Sequence, residues 1–203
     1  MSMTSRRKPL LKITATLLNS WAYIFNCPEE YSNKSRDDFI AYLNREPFEP
    51  NFYMKRGIAF EEKCVNGEVP FISEIIKDGA FQVYAEKEMR VGEYNVKVLG
   101  YLDVLKEGEI LDIKRVNKYE RQKYFSSYQH HIYLELVPEA HVFRYLVASG
   151  YKDEHLELNI ESYRRDEMLD LEEVISMFFR WLKENDLFDI YVENYNLNKE
   201  NEK

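Results

Sequence analysis

Apolar residues change their spacing along this chain, and the changes mark its elements. From residue 13 to 46 they recur at helical spacing, with Pro28 breaking the run and Asp37-Asp38-Phe39-Ile40 resuming it. Pro47 and Pro50 frame a short connector. Phe52 to Cys64 is helical again, and Asn66-Gly67 closes it as a C-terminal cap does. The period then drops to two. Ala80 to Val91, Asn95 to Leu105 and Glu109 to Val116 predict three strands, joined at Gly92-Glu93 and near Glu107-Gly108. Lys118 to Val137 returns to helical spacing and stops at Pro138, and His141 to Ser149 and His155 to Glu161 predict two more strands. A helix from about Asp166 to Glu184 follows, and the Asn- and Glu-rich end is expected to fray.

This order predicts one α/β domain, a mixed central sheet flanked by helices. No internal repeat and no long linker divides it. Residues 1–50 read as a helical N-terminal elaboration, 51–165 as the core, 166–190 as a C-terminal helix and 191–203 as a frayed tail.

Composition narrows the class. With 45% apolar and 32% charged residues in 203, the chain belongs with soluble globular proteins rather than disordered ones. The formal charge is −8, which excludes a general positive coat but leaves room for a local basic groove. No stretch approaches the roughly 18–20 apolar residues that a membrane helix needs. Arg6, Arg7, Lys8 and Lys12 ahead of Ile13 to Phe25 have the outline of a secretion signal. However, Thr14, Thr16, Asn19 and Ser20 interrupt the apolar run and no small-x-small site follows, whereas Trp21 and Tyr23 suit a core-facing helix. Cys27 and Cys64 are too few for a disulfide framework, so a cytoplasmic address is expected, with no membrane partner.

The chemistry concentrates in Gly100-Tyr101-Leu102-Asp103 and Leu111-Asp112-Ile113-Lys114. Asp112 and Lys114, two apart on a strand, leave the same face. If Glu107-Gly108 is a two-residue turn, residue 106 pairs with 109 and Asp103 falls opposite Asp112, with Cβ atoms roughly 5 Å apart. Two carboxylates that close repel each other, and a divalent cation with oxygen ligands relieves the cost. Lys114 beside them could orient an attacking water or neutralise charge on a pentacovalent phosphate. Asp112 also lies within an apolar strand, Ile110 to Ile113, an expensive place for an idle acid.

These residues resemble the PD-(D/E)XK nucleases, most closely their RecB-like and phage-type exonuclease branch. Gly100 to Asp103 and then Leu111 to Lys114 match two central motifs in order. Upstream, Arg56-Gly57-Ile58-Ala59-Phe60-Glu61 resembles the helical R-G-x-x-x-E element, and downstream Gln129-His130-His131-Ile132-Tyr133 resembles the Q-x-x-x-Y helix. The resemblance implies a restriction-endonuclease-like core. It implies Glu61 (with Glu62 as the alternative), Asp103, Asp112 and the Ile113 carbonyl as ligands of Mg²⁺ or Mn²⁺. It also implies Lys114, Gln129 and Tyr133 as catalytic residues, and DNA, preferably with an end, as substrate. A recombination or replication protein would be a fitting partner, in a phage or its host cytoplasm. A catalytically silent binder of nucleic-acid ends is the alternative, although such copies usually lose one of the four central residues. Leu102 stands where the family often has Pro, and Arg115 where Thr or Ser is common. Cys27-Pro28 resembles the start of an iron–sulphur site, but no cysteine follows Cys64, so no cluster is expected.

Charge supports a nucleic-acid substrate. Lys114, Arg115, Lys118, Arg121 and Lys123 face only Glu120 in one short stretch, interleaved with Tyr119, Tyr124 and Tyr128. Arg115, Lys118, Arg121 and Lys123 are the expected phosphate contacts. Gln122, Ser126, Gln129 and Tyr133 would share one face of a continuous helix. His130 and His131 lack a partner at ligand spacing and read as surface or phosphate-contact residues. Ser126-Ser127 lacks a base and is not a nucleophile. Arg6-Arg7-Lys8 reads as a plain charged terminus.

Overall fold

Glu107 and Gly108 both have positive φ, 50° and 78°, in the computed structural model, which describes residues 8–200. Positive φ at both central residues is what a two-residue hairpin turn of the right twist requires. The register follows from it: Lys106 pairs with Glu109, Leu105 with Ile110 and Val104 with Leu111. The strands are β2 (Ala80–Val91), β3 (Tyr94–Lys106) and β4 (Glu109–Val116), then β5 (Val142–Ser149) and β6 (Glu157–Arg164). A short β1 (Leu10–Ile13) pairs parallel with β3, and β5 lies parallel to β4 and antiparallel to β6. The result is a six-stranded mixed sheet in the order β1-β3-β4-β5-β6, with β2 also on β3. The expected fold class is the observed one.

The chain forms two compact units, and the long strands β2 and β3 contribute to both. The one holding the predicted chemistry comprises Pro47–Ala85 and Gly100–Met168. Its helices α3 (Phe52–Val65) and α4 (Pro70–Ile76) cover one sheet face. Phe60, Cys64, Ile72 and Ile76 pack there with Val104, Leu111, Ile113, Leu146 and Ala148. Asn51 caps α3 by accepting from Met54 N at 3.0 Å.

The predicted helix over 118–137 is two pieces, α5 (Arg121–Phe125) and α6 (Gln129–Leu136). Consecutive serines divide it. Ser126 turns its hydroxyl back to the Gln122 carbonyl (2.9 Å), and Ser127 Oγ accepts from Gln129 N (3.2 Å), starting the next helix. Gln122 and Ser126 therefore do not continue the face on which Gln129 and Tyr133 lie.

His130 is not a surface residue. It is buried, stacked on Tyr163 at 3.9 Å and 15°, with Nδ1 3.5 Å from the Tyr145 hydroxyl. Burial, with His131 beside it, holds its pKa down to about 3, and burial holds His131 down to about 4. A base kept neutral in the native state takes up protons on unfolding below about pH 6.5, so its stability contribution is complete above that pH and lost on acidification. Between pH 7 and 5 each such histidine should cost about 2 kcal/mol. Urea unfolding at the two pH values should show this loss, and His130→Phe should remove about half of it.

The other unit comprises Met1–Glu46, Glu86–Leu99 and Leu169–Lys203. Here α1 (Ala15–Asn26), α2 (Ser32–Leu43) and α7 (Leu171–Glu184) meet through Trp21, Phe39, Phe178 and Trp181. Thr14 and Asp170 cap α1 and α7. Three expectations are corrected here. Ile13 ends a strand, Leu10–Ile13, rather than opening the helical run, and Tyr23 is exposed although Trp21 is buried. Nor is the chain frayed over residues 191–200: α8 (Phe188–Asn194) and α9 (Leu197–Glu200) follow, with Tyr191 and Tyr195 buried. The Tyr191 hydroxyl donates to Lys12 O (2.9 Å) and the Tyr195 hydroxyl to Tyr42 O (3.0 Å), so aromatic burial outweighs the polar composition. Arg6 and Arg7 lie outside the described residues. Among the described residues, no helix is long and apolar enough to cross a membrane.

Candidate active site

The β3–β4 ladder ends at Val104 and Leu111, and the next groups to meet are side chain and backbone. Asp103 Oδ2 accepts the Ile113 N–H at 2.9 Å. In a strand the N–H and C=O of one residue point the same way, so the Ile113 carbonyl also faces the Asp103 side. Asp112 is fully buried on β4, beside Tyr145 of β5 in register. Its Oδ1 accepts from Gln129 Nε2 at 2.6 Å, and its Oδ2 lies 2.5 Å from Lys114 Nζ. That second contact is a close ion pair, so the Lys114 ammonium faces the buried Asp112 Oδ2.

Glu61 reaches the group from α3. Its Oε1 accepts from Gln82 Nε2 at 2.6 Å, and its charge is felt by Asp112. Glu62, its alternative as the upstream acid, is exposed, whereas Glu61 is half-buried. The crowding of negative charge shows in two of these acids. Glu61 is raised by burial and then by Asp103, and Asp112 lies well above the usual carboxylate range through burial, Asp103 and Glu61. Burial also works against the Lys114 ammonium, but Asp112 and Asp103 outweigh it and hold the group above the ordinary lysine value.

Two further elements close the site. Gln129 and Tyr133 lie one turn apart on α6 and are hydrogen-bonded to each other. The Tyr133 ring packs against Gly100, where a Cβ would come within 2.6 Å of its Cε1. Glycine in the Gly-x-x-Asp motif is thus a space for this tyrosine. Tyr124, Tyr133 and Tyr145 form an apolar wall whose hydroxyls burial holds protonated, those of Tyr124 and Tyr133 pushed up to about 12.

The structure therefore brings together Glu61, Asp103, Asp112, Ile113, Lys114, Gln129 and Tyr133. It does not assemble the acids as a finished ligand cluster: among the described residues no three His, Cys, Asp or Glu side chains are arranged to hold a metal ion. Each acid is instead held by a protein donor: Gln82, the Ile113 N–H, or Gln129 with Lys114. The donor set still fits a hard divalent cation. It is all oxygen, it is burdened by its own negative charge, and one of its buried oxygens, Asp112 Oδ2, already draws a cationic group to it.

The basic stretch divides. Arg115 points away from Lys114 and its side chain is fully buried, pairing with Asp153 (Nη2–Oδ1 2.8 Å) and lying over the Phe60 ring. It is a structural residue, not a phosphate contact, because neighbours on a strand face opposite ways. Lys118, Arg121 and Lys123 are exposed, with surface ion pairs from Arg121 to Glu161 (3.4 Å) and from Lys123 to Glu120 (3.2 Å). Such exposed pairs hold their partners weakly. Gln82 was not singled out by the sequence. It has φ of +50° inside β2, and a glutamine in that conformation leaves no signature in the residue pattern.

No protein-family model matches the chain, and no curated protein matches its sequence. Solved structures do. The chain is similar to SSO0001, with TM-score 0.53 and 16% identity over 89% of this chain and 80% of that one. It is also similar to the alkaline exonuclease LHK-Exo from Laribacter hongkongensis, with TM-score 0.51 and 14% identity over 90% of each chain. LHK-Exo in complex with dAMP gives TM-score 0.48 and 12% identity, over 86% of this chain and 89% of that one. At these identities the likeness establishes the fold, a mixed sheet flanked by helices that this chain shares with an alkaline exonuclease.

Proposed function

We propose that this chain is a metal-dependent nuclease that hydrolyses DNA phosphodiester bonds, working from ends as an exonuclease. The observation that carries the reading is the group around Asp112: a buried carboxylate beside Asp103, Glu61 and Lys114, held by Gln129. A core acid with two acidic neighbours lowers stability, and such an arrangement is kept where function uses it. Similarity of fold to an alkaline exonuclease supports the same reading.

Asp103, Asp112, Glu61 and the Ile113 carbonyl would hold Mg²⁺ or Mn²⁺. The ion would supply Lewis-acid stabilisation of phosphate oxygens and ease deprotonation of water. The protein's own groups do the rest. Gln129 fixes the orientation of the Asp112 carboxylate, and Tyr133 fixes α6 against β3 through Gly100. Lys114 can orient the attacking water and neutralise charge as phosphorus becomes pentacovalent. The water oxygen bonds to phosphorus and gives up a proton to solvent, the opposite ester bond breaks, and the leaving oxygen takes a proton from solvent. The tyrosine wall helps keep bulk water from Asp112. Lys118, Arg121 and Lys123 would track the phosphate backbone without reading sequence.

The test is digestion of linear and covalently closed circular DNA of the same sequence with Mg²⁺. An exonuclease releases nucleotides from the linear form and leaves the circle intact. Cleavage of both forms would make the chain an endonuclease, and cleavage of neither would overturn the reading.

A further inference from the structure

Two exposed tyrosines stand beside the acids and take no part in the reaction as described. Tyr101 precedes Asp103 by two residues on β3 and shares its side of the strand: Leu102 and Val104 are buried, whereas Tyr101 is 58% exposed. Tyr84 follows Gln82, the residue that holds Glu61, by two residues on β2 and is 47% exposed. Their rings meet at 5.1 Å and 51°. The pair thus joins the strand carrying Asp103 to the strand carrying the partner of Glu61.

We propose that Tyr84 and Tyr101 form a stacking platform for unpaired nucleobases of the DNA strand being cut. This rests on the nuclease reading above. Cross-strand aromatic pairs do stabilise hairpins, but ring contact between the two uses only part of each surface, and about half of each side chain remains open to solvent. Residues two apart on a strand are about 6.8 Å apart, so a base on Tyr101 would stand about one nucleotide from a phosphate at Asp103. Stacking also suits a site crowded with carboxylates, because it needs no positive charge and accepts any base. A base already paired and stacked in duplex cannot use the platform, so single-stranded or frayed ends are the expected substrates.

Binding is measured in an Asp112→Asn background, which removes turnover, with oligonucleotides carrying 2-aminopurine near one end. Tyr101→Ala and Tyr84→Ala should each weaken single-strand binding on the order of tenfold and reduce quenching of the probe. Tyr101→Trp should retain both. The slope of affinity against salt should not change, because no phosphate contact is lost. With an abasic nucleotide in place of the stacked base, Tyr101→Ala and its parent should bind alike. Equal binding on intact DNA, or an equal loss on abasic DNA, overturns the platform. So does self-association that depends on the two tyrosines while DNA binding does not. Cleavage by the wild-type chain with unaltered binding in Tyr101→Ala overturns this proposal alone. Absence of both cleavage and binding overturns the nuclease reading with it.

Discussion

Replacing Asp112 by alanine should reduce cleavage by on the order of a thousandfold or more while leaving the protein folded. The Asp112 carboxylate is the one through which Gln129, Lys114 and the neighbouring acids are linked. Stability should respond differently from activity. An ionised carboxylate fully out of water, near Asp103 and Glu61, lowers native stability, and alanine removes that burden. Against this, the Gln129 amide loses its acceptor and Lys114 its counter-ion. Lys114 is 36% exposed and can turn to water, so the losses are partly recovered. The expected change is within about 2 kcal/mol. Lys114→Met should share the loss of activity. Single-turnover cleavage and a denaturant titration measure the two effects, and unaltered cleavage in either variant would refute the assignment.

Arg115→Ala should do the reverse, destabilising the protein by about 3 kcal/mol with no direct effect on DNA binding. The guanidinium donates to Asp153 Oδ1 from Nε (3.1 Å) and Nη2 (2.8 Å), and to the Val116 carbonyl from Nη1 (2.5 Å). Arg56 donates to the same carboxylate oxygen at 3.0 Å, and hydrogen bonds from both arginines hold Asp153 below the usual carboxylate range. Truncating Arg115 leaves a cavity beside Phe60 and removes one of those two donors. Lys118→Ala with Arg121→Ala should leave stability within about 0.5 kcal/mol. That variant should reduce the salt dependence of binding, by about 0.9 per lost contact on duplex or 0.7 on single strand. If Arg115→Ala proves as stable as the parent, the buried pair has been misjudged.

The difference between Lys114 and Arg115 shows what the sequence could disclose. A count of cations groups them, yet strand alternation already separates adjacent residues onto opposite faces, and it was the better guide. The hairpin was legible because two turn residues force one register, so Asp103 and Asp112 could be related through Glu107-Gly108. Gly100 was legible as a motif position but not in its cause, since the Tyr133 ring that excludes a Cβ comes from a helix more than thirty residues on. Gln82 was hidden by a backbone conformation with no residue signature. The four-residue β1 was hidden by its length, and the serine break between α5 and α6 by a periodicity that runs through it. The C-terminal segment misled because its composition is polar while its buried tyrosines decide its packing.

On the function proposed above, the Asp112 carboxylate charge, acting with a divalent cation, drives phosphodiester hydrolysis. Asparagine at this position keeps the shape and an acceptor for Gln129, removes the charge, and replaces the oxygen beside Lys114 with an amide donor. The decisive measurement is release of nucleotides from linear DNA as Mg²⁺ is titrated, for the wild-type chain and for Asp112→Asn at equal concentration. Release should rise with Mg²⁺ and cease with EDTA in the wild type, and be absent at every Mg²⁺ concentration in the variant. Release by both proteins, or release that persists in EDTA, would contradict that function.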